Sequence, residues 1–211
     1  MTNRIAVPPF LDYPTLYPAD IGATKGSGPL LWVSQHLIEP KTDRIHFFII
    51  GDYLPWDNDY VILESIGKGI AVGRLSFYKP EDVEIYRVVL HEVLGQTPEQ
   101  RLGKMKTEEL YEVRKRAAAE LTRVGRARYD YILIAQIAFG ALTLLLKGKL
   151  PPWRPEQFPY GRDKKYICTE AANFCWRAVG HPIIPPGVVP LPAGFAQALQ
   201  EGRICKIFPR R

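Results

Sequence analysis

Residues 45–89 read IHFFIIGDYLPWDNDYVILESIGKGIAVGRLSFYKPEDVEIYRVV, and the fold class turns on them. Residues 45–50 (IHFFII) are a short apolar run with His46 inside it, the pattern of a buried strand. Residues 60–65 (YVILES) form a second strand, rich in β-branched side chains. Glycines 67 and 69 bracket a turn, residues 70–74 return as a third strand, and residues 84–89 make a fourth. Consecutive short strands separated by turn signals predict an antiparallel sheet.

The flanking segments predict helices. On the N-terminal side, residues 30–38 carry apolar side chains at helical spacing and stop before Pro40. Residues 22–28 are a glycine-rich turn that lacks the Gly-Lys-Ser/Thr ending of a phosphate-binding loop. On the C-terminal side, Thr107 is a predicted N-cap, with Glu108 and Glu109 where a helix dipole favours acids. Leu110, Val113, Ala117, Leu121 and Val124 then recur on one face, and Gly125 fits the stop. Residues 131–146 (YILIAQIAFGALTLLL) are the longest apolar run; too short to span a bilayer, they predict a buried helix, with membrane contact a lesser alternative. Residues 169–179 form a last amphipathic helix, with Ala172, Cys175, Trp176 and Val179 facing a core and Gly180 ending it. The predicted architecture is a single α+β domain over residues 1–211. It has an antiparallel sheet packed against helices, an irregular arm at 1–17, and a Pro-rich tail at 181–211 that holds at most a short helix near 195–199.

Composition narrows the function. With 211 residues, 46% apolar and 24% charged, the chain can bury one sizeable core, which excludes disorder, collagen and coiled coil as its architecture. Its net charge of +6 is uneven: residues 1–100 sum to −5 and residues 101–211 to +11. Arg114, Lys115, Arg116, Arg123, Arg126 and Arg128 decorate the predicted helix that begins at Thr107. Such a basic half is ordinarily a solvated face, and it is also a surface for an anionic partner. No aromatic residues interleave with the basic ones, so no specific nucleic-acid partner is expected. Three cysteines, 168, 175 and 205, make no disulfide framework and have no zinc-ligand spacing; no metal or cofactor is expected. The first residues, MTNRIAVPPFLDYP, lack the apolar core of a signal peptide, and a cytoplasmic, reducing setting is the expectation.

One thiol is placed for chemistry. Cys168 stands at the start of the last long helix, where the dipole and the unpaired N–H groups favour a thiolate and can hold an oxyanion. His46 is the best-placed base, ahead of His36, His91 and His181. Glu64 closes an otherwise apolar strand, where an acid is costly to bury unless paired, and a His–Glu pair would satisfy both groups. The alternative is a buried structural cysteine and a satisfied strand histidine. Cys175 and Cys205 read as packing residues.

The order of these elements resembles the circularly permuted branch of the NlpC/P60 papain-like superfamily, the YiiX/YaeF-like permuted papain amidases, over roughly residues 18–183. Pro18-Ala19-Asp20-Ile21 is similar to that family's Pro-Gly-Asp-Ile element, and Ile45-His46-Phe47-Phe48-Ile49 to its Ser-His-Val-Gly-Ile strand. VILESIGKGIAVGRLSFY (61–78), Val83-Glu84-Ile85-Tyr86-Arg87, Tyr129-Asp130 and Cys168-Thr169-Glu170 resemble its later motifs, in the same order. Ala19 stands where Gly is usual, Ile45 where Ser is, and Phe47-Phe48 where a small Val-Gly pair is, which narrows the expected pocket wall beside the base. The resemblance implies a permuted papain-like (NlpC/P60) fold with Cys168 as nucleophile, His46 as general base and Glu64 as its orienting acid. The implied activity is a thiol hydrolase cleaving an amide in a peptide or acyl-amide. Glu170 is read as structural. Two other readings remain open: an acyltransferase using the same thioester, with residues 131–146 facing lipid, and a non-catalytic protein that binds an anionic partner through its basic half.

Overall fold

The computed structural model of the chain describes residues 16–27, 29–90, 107–124, 130–158 and 166–209. The strands are β1 (Ile21–Lys25), β2 (Arg44–Leu54), β3 (Asp59–Ile66), β4 (Gly69–Arg74), β5 (Val83–Val88) and β6 (Ile204–Phe208). The helices are α1 (Pro29–His36), α2 (Thr107–Val124), α3 (Tyr131–Leu146), α4 (Cys168–Ala178) and α5 (Pro192–Gln200). The six strands form one antiparallel sheet in the order β4-β3-β2-β1-β5-β6, and the fold class is α+β.

The apolar run of β2 is continuous because both faces of that strand are covered. Phe47 and Ile49 point toward α2, α4 and α5, among Val113, Leu121, Ala172 and Trp176. Phe48 and Ile50 point the other way, into a smaller cluster with Ile62, Leu75, Val83 and Ile85. A third cluster lies under α3, where Leu133 and Leu144 pack with Trp153, Phe158, Ile167 and Leu191. Asp130 caps α3, its carboxylate accepting from the Leu133 N–H at 2.8 Å. Its neighbour Tyr129 in the sequence motif, the helix stop at Gly125, Arg126 and Arg128, His91 and most of the arm 1–17 lie outside the described residues.

Four expectations are corrected. Residues 22–28 are not simply a turn: Gly22 lies inside β1, the strand between β2 and β5. A Cβ on Gly22 would fall 2.0 Å from the Phe48 ring, and one on Gly26 would fall 1.8 Å from the Ile45 side chain. These glycines serve close packing across strands rather than chain reversal. The tail at 181–211 carries a full helix, α5, and the edge strand β6, which pairs with β5. The apolar run of α3 is buried on one side only; Ile132, Phe139, Leu142 and Leu146 are exposed. Arg114 is not a surface charge: it is buried, and its guanidinium reaches Asp20 at 3.2 Å and the Val88 carbonyl at 3.0 Å.

Asp20 is fully buried at the centre of these contacts. Its carboxylate accepts two hydrogen bonds from Arg87, at 2.9 and 2.6 Å, one from Arg114, and one from the Tyr17 N–H at 2.9 Å. The same dipeptide pins the backbone. Ala19 N–H donates to the Ile50 carbonyl, Ile50 N–H donates to the Asp20 carbonyl, and the Trp176 indole donates to the Ala19 carbonyl at 3.0 Å. Ala19 itself takes a left-handed φ of 64°, a conformation in which glycine is at ease. Removing one member of a buried ion pair leaves the others charged and unpaired. Asp20→Ala is therefore expected to lower the unfolding free energy by about 3–5 kcal/mol in urea denaturation.

Candidate active site

The paired register of β2 and β3 runs from Leu54/Asp59 to Phe48/Glu64 and does not extend to His46. On its other side β2 stays paired to β1, with His46 opposite Thr24. Just past the end of the β2–β3 ladder, the Ser65 hydroxyl donates to the Tyr166 carbonyl at 2.6 Å. That bond fixes the segment entering α4 beside the place where the two strands part. Cys168, the first residue of α4, thereby lies against β2, its thiol 3.5 Å from the Ile45 carbonyl.

His46 and Glu64 project from the same face of neighbouring strands. The His46 Nε2 and a Glu64 carboxylate oxygen are 2.6 Å apart. The Cys168 thiol also acts on the imidazole and raises its pKa, while the hydrogen bond of the sulfur itself goes to the Ile45 carbonyl. With Nε2 committed to Glu64, Nδ1 is the ring nitrogen left for the sulfur. Burial by itself lowers the His46 pKa, but the interactions with Cys168 and with the hydrogen-bonded Glu64 carboxylate outweigh it and push it up to about 9. Glu64 is held below its ordinary value: burial opposes this, and its bonds to His46 and Tyr78 with the imidazolium charge prevail.

Tyr78 was not singled out from the sequence. It follows a short 3-10 turn, Leu75–Phe77, and its hydroxyl donates to Glu64 at 2.7 Å. Burial and the adjacent carboxylate push its phenol above the ordinary range, so it remains a donor. Its ring stacks on Phe48 at 5.0 Å, and Phe48 lies over Gly22. Phe48 thus supports Tyr78, the partner of Glu64, and does not line the cavity beside Cys168. Phe47, on the opposite face, packs on Phe195 at 4.5 Å. Gly73 on β4 leaves room for the Glu64 carboxylate, since a Cβ there would sit 3.3 Å from its oxygen. The only sequence cue to Tyr78 is its place at the end of the family-like stretch; its role rests on a contact across fourteen residues of chain.

The helix start is chemically open. Ile167 occupies the N-cap of α4 and supplies no side-chain cap, so the first-turn amides beside Cys168 lack the usual acceptor. The other candidates fall away. His36 is exposed and bonded to the Trp32 carbonyl. Cys175 is fully buried, with its thiol pushed up to about 12 by desolvation. Cys205 is exposed on β6, not packed in the core as expected. An apolar cavity of about 190 Å³ opens beside Cys168. A larger one, about 550 Å³, is lined by Arg44, Glu84, Tyr86 and Phe195 and does not touch Cys168 or His46.

No protein-family model matches this chain, and no curated protein matches it in sequence. Among the described residues no helix is long and apolar enough to cross a membrane.

The pKa shifts set a pH signature. His46, raised from 6.5 to about 9, contributes stability that is complete below pH 6.5 and lost as pH climbs to about 9. Glu64, lowered from 4.5, contributes stability present above pH 4.5 and lost as pH falls through its folded value. The stability difference between wild type and His46→Gln in urea is therefore expected to be largest near pH 6 and to shrink toward pH 9. A difference that stays constant over that range would contradict the pair.

Proposed function

We propose that this chain is a cysteine hydrolase of permuted papain-like (NlpC/P60) architecture that cleaves an amide bond in a peptide or acyl-amide. The observation that carries the reading is the hydrogen-bonded series His46–Glu64–Tyr78 beside the Cys168 thiol, which raises the His46 pKa and stands at a helix start whose N-cap residue supplies no side-chain acceptor. The chain order of His, Glu and Cys, the antiparallel sheet, and the packing of the nucleophile's helix on that sheet support the architecture.

In this reading His46 holds the proton of the Cys168 thiol, and the thiolate attacks the carbonyl carbon. A carbon–sulfur bond forms, and the carbonyl electron pair moves to oxygen, where the Cys168 N–H and the positive end of α4 face it. As the oxyanion collapses, the carbon–nitrogen bond breaks and the amine leaves with the proton from His46. Water, deprotonated by His46, then attacks the thioester, releasing a carboxylic acid and restoring the thiol. Glu64 keeps Nε2–H directed at itself and stabilises the imidazolium, and Tyr78 holds Glu64 in place. The apolar cavity beside the sulfur favours a second reading with the same thioester: transfer of the acyl group to an alcohol or amine rather than to water. A reducing, cytoplasmic setting is part of the proposal, because the nucleophile must stay a free thiol and all three cysteines are free.

Alkylation by iodoacetamide in a Cys205→Ser background tests the site. Cys168 is expected to react rapidly at pH about 6, where an ordinary thiol is nearly inert, while buried Cys175 does not react. His46→Ala is expected to slow that reaction by about 100-fold or more. Tyr78→Phe, which removes one bond to a charged group, is expected to slow it by about 10-fold. Reaction of Cys168 with an ordinary thiol's pH profile, indifferent to His46, sinks the reading.

A further inference from the structure

The cavity beside Cys168 is walled by Leu37, Ile45, Ile134, Ile137 and Phe158, with Trp153 at its side, and among the described residues none that lines it is charged. Ile45, the residue next to the base, turns an aliphatic side chain into this wall, over the space that Gly26 leaves free. A peptide drawn into such a site would lose water from its amides without gaining partners, at a cost of about 1–3 kcal/mol for each group. A hydrocarbon loses nothing there. At about 190 Å³ the cavity exceeds an apolar cavity of about 150 Å³ that takes benzene, and so fits a chain on the order of six to ten carbons. A second observation concerns the end of the cavity next to the sulfur. Thr169 lines it, and its Oγ1 is buried with no hydrogen-bond partner among the described residues. Buried hydroxyls are nearly always paired, and the carbonyl of a bound amide supplies the missing acceptor.

We propose that the substrate carries a medium-length aliphatic acyl chain, which lies in this cavity with its carbonyl at the Cys168 sulfur and the Thr169 hydroxyl. The assignment rests on the thioester reading of Cys168 and names the acid half of the amide: an unbranched fatty acyl group rather than a peptide. The covalent step is the one already described. The acyl carbon passes from nitrogen to sulfur, the amine leaves with a proton, and water releases the fatty acid.

The test is a series of acyl-4-nitroanilides from about two to about twelve carbons, read as released nitroaniline. The expected result is a kcat/KM that rises roughly fourfold per methylene to about eight carbons and then levels or falls. Ala141→Phe, which fills the cavity from α3, is expected to shorten the optimum, and Ile134→Ala to lengthen it. Neither side chain belongs to the series beside Cys168. The same acyl chains carried on the amine of phosphatidylethanolamine in phosphatidylcholine vesicles form a second arm. An optimum there and not in solution identifies a lipid surface as the source of the chain, and an optimum in solution identifies a dissolved amide. A third arm needs no turnover: octanoate should bind saturably to Cys168→Ala by calorimetry and fail to bind Cys168→Ala/Ala141→Phe. Rates independent of chain length, or, where nothing is cleaved, no octanoate binding, overturn the proposal. The alkylation profile of Cys168 separates the two failures. A reactive thiol without chain-length dependence removes the acyl chain and leaves the hydrolase, whereas an ordinary thiol removes both.

Discussion

A carboxylate with no access to water, shared between two guanidinium groups, organises this molecule. Asp20 draws Arg87 of β5 and Arg114 of α2 to the start of β1, and its backbone bonds to Ile50 on β2. Such a cluster is stable only while its buried groups keep their hydrogen-bond partners, so it tolerates one arrangement of those elements. The same few residues receive the Trp176 indole, which sets α4 on the sheet. The placing of the helix of Cys168 against the strand of His46 therefore depends on an ion cluster to which neither residue belongs.

From that anchor the site follows by packing. β2 is covered on both faces, and each face has a separate task. One face joins the main core under α2, α4 and α5; the other carries His46 and Phe48 toward Glu64 and Tyr78. Gly22 admits the Phe48 ring, the ring supports Tyr78, and Tyr78 fixes the acid that holds the imidazole. A histidine and a glutamate are costly to bury singly, and they are mutually satisfied here, with the imidazole raised to about 9 and the carboxylate lowered. The parting of β2 and β3 past Phe48/Glu64 lets the start of α4 approach, and a single serine hydroxyl on β3 secures it.

α3 shows the limit of hydropathy as a guide to burial. Its sixteen residues are apolar almost all round, yet only one side meets the protein, and Phe139 and Leu146 stand 70% and 81% exposed. The inner side shapes the cavity at Cys168 through Ile134, Ile137 and Ala141. A helix apolar all round carries no periodic signal of which side faces the protein.

Local chemistry made much of this protein legible in its sequence. Strands β2 to β5 and helices α1 to α4 were marked by apolar runs and periodicity and by Gly, Pro and capping residues, because those signals act within a few residues of chain, whereas α5 showed only as a possible short helix near 195–199. Cys168 and Glu64 drew notice as well, because a cysteine at a helix start and an acid in an apolar strand call for partners, but naming them with His46 as one set rested on the resemblance in element order. Tertiary structure decided the rest. β1 was hidden because Gly22 within it and Gly26 just past its end, which look like turn residues, are there to admit Phe48 and Ile45 from the next strand. β6 was hidden in a proline-rich tail because its pairing with β5 is distant in sequence. Arg114 looked like one more surface charge until Asp20, ninety-four residues away, was found beside it. Tyr78 had no local mark, since a hydroxyl becomes part of a site only through the carboxylate it meets. Periodicity and capping are properties of neighbours along the chain, whereas ion clusters, cross-strand packing and cavities are properties of neighbours in space, and only the fold brings those together.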